Sequence, residues 1–147
     1  MATIHKSIDI DAPVERVFEI LTDPRRLPEY AQGLISVEDI RQTEQHVGDS
    51  FRAIYSVLGL RFPMTFTATE YEHPSTLTRC FEGGMKGTWT WRLEPQGKGT
   101  HVTTAMEYEM AGGILGKAMN AVLVERMNEK NAKGMLENLK LVSEASH

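Results

Sequence analysis

The segment that most limits how this chain can fold is its last long stretch, residues 116–142. No proline interrupts it, and it is rich in Ala, Leu, Met, Glu and Lys, all favourable in helix interiors. Val124, Met127, Asn131, Met135, Asn138 and Val142 follow one another at steps of three or four residues, so they form one stripe of a helix, widened by Ala132 and Leu139. Arg126, Glu129, Lys130, Lys133, Glu137 and Lys140 fall on the opposite side. A helix of this length spans roughly 40 Å, more than most single-domain helices need. Only a broad partner surface covers so long a stripe.

The preceding chain supplies that surface. Ile4, Lys6, Ile8 and Ile10 alternate with Thr3, His5, Ser7 and Asp9, the pattern of a strand with one buried face. Asp11-Ala12-Pro13 opens a helix with Pro13 at its first position and Val14, Val17, Phe18 and Leu21 on one face. Asp23-Pro24 stops it, and a second short, irregular helical piece runs from Arg25 to Ala31 across Pro28. From Leu34 the period becomes two. Leu34 to Arg41 alternates weakly; Phe51, Ala53, Tyr55 and Val57, then Phe62, Met64, Phe66 and Ala68, alternate clearly. So do Leu77, Arg79 and Phe81, then Trp89, Trp91 and Leu93, then Val102, Thr104, Met106, Tyr108 and Met110. Turns at such short intervals predict a meandering antiparallel sheet of about seven strands with one apolar face. The class is α+β.

The length of 147 residues suits one domain, residues 1–147, with a substantial core. A formal charge of -4 argues against a general nucleic-acid binder, which needs a concentrated basic surface. No apolar run reaches the ~20 residues that cross a bilayer, and the first residues lack the apolar core of a signal peptide. The single cysteine, Cys80, cannot form an internal disulfide, so a cytoplasmic protein is expected.

The order strand, two short helices, about six strands and one long helix resembles the START-like superfamily, the polyketide cyclase/dehydrase and lipid transport or SRPBCC group with its helix-grip fold. The stretches that carry the likeness are Ser7-Ile8-Asp9-Ile10-Asp11-Ala12-Pro13-Val14-Glu15-Arg16-Val17-Phe18, Gly87-Thr88-Trp89-Thr90-Trp91-Arg92-Leu93 and Gly99-Thr100-His101-Val102-Thr103. Glu137-Asn138-Leu139-Lys140 resembles the family's C-terminal helix. The resemblance implies a curved sheet gripping the long helix around a deep cavity. It leaves function open, because the group holds carriers, receptors, cyclases and chaperone regulators.

The inward positions suit such a cavity. Tyr55, Phe62, Met64, Phe66, Phe81, Trp89, Trp91, Met106, Tyr108, Met127 and Met135 form an aromatic and sulfur-rich series, as does Phe51, and Met adapts to irregular shapes. Each of these side chains also makes ordinary core filler. Two inward polar residues, Arg79 and Asn131, complete the candidate ligand-binding set. A buried guanidinium is costly unless it is paired, so Arg79 must meet Glu70 in a salt bridge, snorkel to the rim, or face water or a ligand oxygen. Asn131 bonds a neighbouring strand, water or the ligand.

Reactive chemistry is hard to find. The five histidines show no helical metal-site spacing, Cys80 lacks a neighbouring base, and no Gly-x-Ser-x-Gly or phosphate-cradling loop occurs. No metal or cofactor is expected. The expected function is binding or carriage of a hydrophobic or amphipathic small molecule: lipid, polyketide or quinone-like. The alternatives are a polyketide aromatase/cyclase-like enzyme, with Arg79 and Tyr55 polarising carbonyls, and a protein-interaction module. Ile114, Leu115, Ala118, Met119 and Val122 form an apolar patch that is either covered core or a gate, a membrane-touching surface or a homodimer contact.

Overall fold

A computed structural model describes residues 2–57, 59–110 and 121–145. Strand β1 (Ala2–Ile10) leads to helix α1 (Val14–Thr22) and a 3-10 helix (Pro24–Glu29). Then come β2 (Leu34–Arg41), β3 (Ser50–Val57), β4 (Leu60–Glu72), β5 (Thr76–Gly83), β6 (Met85–Gln96) and β7 (Gly99–Met110). Helix α2 (Ala121–Ala145) closes the order. The strands form one antiparallel, curved sheet in the order β1-β7-β6-β5-β4-β3-β2. The chain therefore meanders from β2 to β7, and only β1 is brought in from far away in sequence. This is the expected α+β helix-grip architecture.

Local chemistry explains the junctions. Pro13 stands one place earlier than expected, as the cap before α1, where its carbonyl accepts from the Arg16 and Val17 amides at 3.0 and 3.2 Å. Asp23 ends α1 and caps the 3-10 helix through its carboxylate, which accepts from the Arg25 amide at 3.0 Å. Pro24 at the start and Pro28 within keep that piece short and irregular. The weak alternation of β2 belongs to an edge strand whose register slips twice against β3.

Helix α2 packs chiefly along β1 and also meets α1 and the 3-10 helix. Its C-terminal half is tied there by polar contacts. Lys140 Nζ donates to the Asp9 carbonyl at 3.0 Å, Arg16 Nε donates to the Ser143 carbonyl at 3.0 Å, and Glu144 accepts from the Asp11 amide at 2.8 Å. Among its described side chains, Asn128, Ala132, Met135, Leu136, Leu139 and Ser143 are buried. The buried stripe is thus turned by about one residue from the expected one. Met127, Asn131, Asn138 and Val142 lie half-buried at its margin, and Lys140 leaves the charged side to bond β1. The helix extends to Ala145. Its expected start at residue 116 and the patch Ile114, Leu115, Ala118 and Met119 lie outside the described residues, as does the side chain of Val122.

The turned stripe makes two leucines two positions apart energetically opposite. Leu139 is fully buried, whereas Leu141 is 66% exposed. Leu139→Ala should cost about 2–5 kcal/mol by chemical denaturation. Leu141→Ala should stay within about 0.5 kcal/mol of the parent. Equal costs would contradict this helix orientation.

Candidate functional site

Because α2 lies close to the sheet mainly along one edge, the middle strands stand away from it, and side chains fill the gap only partly. A cavity of about 80 Å³ remains between the sheet and α2. That is several times the ~10–15 Å³ one buried water needs on the same measure. Strands β3 and β4 contribute Tyr55, Phe62, Met64 and Phe66, β5 contributes Phe81, and β6 and β7 contribute Trp89 and Met106. Asn131 and Met135 reach in from α2. Each of these nine was expected from period-two or helical spacing.

The walls are largely aromatic. Phe66 stacks on Phe51 at 5.1 Å between centroids and meets Phe81 at 5.5 Å and Tyr55 at 6.3 Å. Trp89 stacks on Trp91 at 5.6 Å. The Trp89 indole N–H donates to Thr104 Oγ1 at 2.6 Å, and that hydroxyl donates onward to the Thr90 carbonyl at 3.3 Å. The polar group of Trp89 is therefore satisfied within the sheet, and its ring offers the cavity an apolar face.

A second, smaller void of about 20 Å³ adjoins the first and shares Tyr55, Phe66, Trp89 and Met135 with it. Arg79 and Trp91 lie in its walls, together with Leu27 and Tyr30. Arg79 is 9% exposed, and its Nη2 donates to the Leu21 carbonyl at 3.3 Å, in the last turn of α1. Its guanidinium carbon lies 5.0 Å from the centre of the Phe51 ring. The expected alternative of a salt bridge to Glu70 is overturned. Ala68 pairs with Arg79 but Glu70 pairs with Thr78, so a bulge at Thr69 carries Glu70 to the outer face. There its carboxylate accepts from the Thr78 hydroxyl at 3.2 Å. The same slip restores inward parity at Tyr71, which meets Phe18 edge-on at 5.2 Å.

Two expected site residues fall outside both walls. Tyr108 is buried on the inward face of β7 beside Asn128 of α2 without lining either void, and Met127 is half-buried on the margin of α2. The cavity also takes residues that spacing did not single out. Ile4 and Thr104 had inward parity on β1 and β7, so the signal was present. Ala132 was already on the expected helix stripe and Asn128 follows from its turn, whereas Gln32, Ser56, Gly84 and Met85 come from turns and strand ends, where no period operates. Gln32 lies against Gly134 of α2: a Cβ there would stand 2.0 Å from its Nε2. A glycine in a helix interior costs about 1 kcal/mol, and here it leaves room for the amide at the cavity wall.

Three tyrosine hydroxyls are shifted upward. Burial pushes Tyr30 to about 12, opposed by the nearby positive charge of Arg79. Burial also raises Tyr55, where Arg79 again opposes the shift. It raises Tyr108, where Asn128 opposes it. Burial lowers Arg79, with Tyr30, Tyr55 and Asp49 acting in the other direction. At neutral pH the two voids thus present neutral phenols and one guanidinium. Among the described residues that line them there is no His, Cys, Asp, Glu or Lys. They offer hydrogen-bond donors and apolar surface but no general base of ordinary strength.

Comparison with known proteins agrees with this geometry. A family model described as polyketide cyclase / dehydrase and lipid transport matches residues 1–144. An uncharacterised protein of Mycobacterium tuberculosis is 27% identical over 113 residues, 76% of this chain and 50% of that protein. The chain spans about half the length of the curated relative it matches. Among solved structures, a protein of Thermus thermophilus aligns with a TM-score of 0.81 at 25% identity, covering 99% of this chain and 100% of that one. A START superfamily protein of Mycobacterium smegmatis aligns at 0.82 and 11% identity, covering 99% of each chain. The Zhui aromatase/cyclase of a Streptomyces species aligns at 0.81 and 15%, covering 97% of this chain and 93% of that one. The last two likenesses show the fold alone.

Two tests follow from the electrostatics. Glu70→Gln should leave stability within about 0.5 kcal/mol of the parent, because its carboxylate is on the outer face. A loss of about 3 kcal/mol or more would restore the buried pair with Arg79. The raised folded-state value of Tyr30 sets the sign of an alkaline effect. The unfolded phenol ionises near pH 10 and the folded one at about 12. The resulting stability is complete below pH ~10 and is lost as pH rises towards about 12. Denaturant melts between pH ~9 and ~12 should show this decline, and Tyr30→Phe should make it shallower.

Proposed function

The chain belongs to the polyketide cyclase/dehydrase and lipid transport family, and from that premise we propose that it binds and carries a hydrophobic or amphipathic small molecule. Lipid, polyketide and quinone-like molecules fit that description. The observation that carries this reading is the cavity between the sheet and α2, with its stacked aromatic and Met-rich walls. Such a lining favours apolar ligands with a few polar anchors. Met64, Met85, Met106 and Met135 allow the wall to adapt to shape. Asn128 and Asn131 supply amides on the helix side, and Asn128 donates only weakly, to Met85 Sδ at 3.5 Å.

Catalysis of the aromatase/cyclase kind is the second reading. It is favoured by one observation, the guanidinium of Arg79 in the chamber that it shares with Tyr30 and Tyr55, where donors could polarise a carbonyl. The lack of a base among the described lining residues weighs toward carriage. Among the described residues no helix is long and apolar enough to cross a membrane.

Both tryptophans of the chain stand at the walls, so their fluorescence reports directly on occupancy. An environment-sensitive apolar dye should bind about once per chain and quench them. Native mass spectrometry of protein from its own host should show a releasable adduct. A folded protein that binds no apolar probe and carries no adduct would remove the carrier reading; conversion of a bound polyketone to a cyclised product would favour the enzyme.

A further inference from the structure

Arg79 carries a positive charge in a buried place, and the described groups in contact with it are neutral. Its described contacts are the Leu21 carbonyl and the face of Phe51. A carbonyl in the last turn of α1 is the negative end of that helix, which eases the burial without neutralising it. A guanidinium has five N–H donors, and among the described residues only Nη2 has a hydrogen-bond acceptor. The nearest carboxylate with an influence on it, Asp49, is engaged elsewhere. It accepts from the Thr43 amide and pairs with His46.

The surroundings have a shape to match. The chamber beside Arg79 holds about 20 Å³, room for one or two water-sized groups on the scale of ~10–15 Å³ each. That is the size of the paired oxygens of a carboxylate. Tyr30 and Tyr55 line the same chamber, and as phenols that are protonated at neutral pH they bring donors, not repulsion, to an anion. The larger void, with its apolar walls, begins at the shared residues Tyr55, Phe66, Trp89 and Met135.

We propose that this is a carboxylate-recognising subsite, and that the ligand is an amphipathic organic acid. Its head group forks onto Arg79 with Tyr30 and Tyr55 alongside, and its apolar body fills the larger cavity. The assignment rests on the ligand-binding reading above. Arginine suits it because the planar fork of donors matches a carboxylate in a bidentate way, which a lysine ammonium does not. A bound anion also supplies the direct counter-charge that no described residue provides in contact with Arg79.

The test compares decanoic acid with 1-decanol, at a pH where the acid is ionised, by displacement of the apolar dye. The parent protein should bind the acid at least tenfold more tightly than the alcohol. Arg79→Met should remove that preference by weakening the acid more than tenfold and leaving the alcohol within about twofold. Its melting temperature should hold or rise, since no ion pair is broken. Arg79→Lys should lose most of the preference while keeping the charge, and it decides the matter if the Met variant does not fold. Tyr55→Phe should weaken the acid selectively and by less. Equal affinity of the parent for acid and alcohol, or equal losses of both in the Arg79 variants, overturns the subsite while leaving the carrier reading intact. Failure of the parent to bind either probe overturns both.

Discussion

The contact on which this structure depends is the seam that fastens α2 to β1 and to α1. Three backbone groups, the Asp9 and Ser143 carbonyls and the Asp11 amide, are met there by Lys140, Arg16 and Glu144. Apolar burial of Leu136 and Leu139 accompanies them in the same half of the helix. A sheet that curves away from a straight helix cannot remain in contact with it across its full width. Once the helix is held at one edge, the strands in the middle stand off by more than side chains can fill. The cavity is thus a geometric consequence of where the helix is fastened.

What the cavity presents depends on how its polar groups are satisfied. Trp89 spends its N–H on Thr104, and Thr104 spends its proton on Thr90, so a potentially polar wall becomes apolar. Glu70 is taken out of the interior by a one-residue bulge and bonds Thr78 on the outer face. That slip removes the one nearby carboxylate that strand parity had offered to Arg79. Desolvation and pairing normally oppose each other at a buried ion pair. Here pairing with a protein carboxylate is absent among the described residues, and the helix end and the Phe51 ring carry the compensation.

Much of this was legible in the chain. Period two placed seven strands and the inward series Tyr55, Phe62, Met64, Phe66, Phe81, Trp89 and Met106, because alternate side chains of a strand must point to opposite faces. Absence of proline and the helical spacing placed Asn131 and Met135 on α2. Arg79 stood out because charge on an apolar parity is costly. Spacing could not see Gln32, Ser56, Gly84 or Met85, which lie in turns or at strand ends. Met127 and Tyr108 line neither void: Met127 sits at the margin of α2, and Tyr108, though inward as parity expects, is buried beside Asn128.

The sequence by itself determined the elements, their order and the apolar face of the clearly alternating strands, since these follow from local sterics and the burial of nonpolar surface. Only the tertiary structure decided three further things. It chose the rotation of α2 about its own axis, because two overlapping stripes one residue apart are nearly equal in apolar content and the polar seam with β1 selects between them. It moved Glu70 outside, because a bulge is a matter of pairing between two strands and leaves no mark in either alone. It set Arg79 beside Leu21, Tyr30 and Phe51, residues dozens of positions away in the chain. A local pattern can state that a charge is turned inward. The closure of distant segments around it determines what that charge meets.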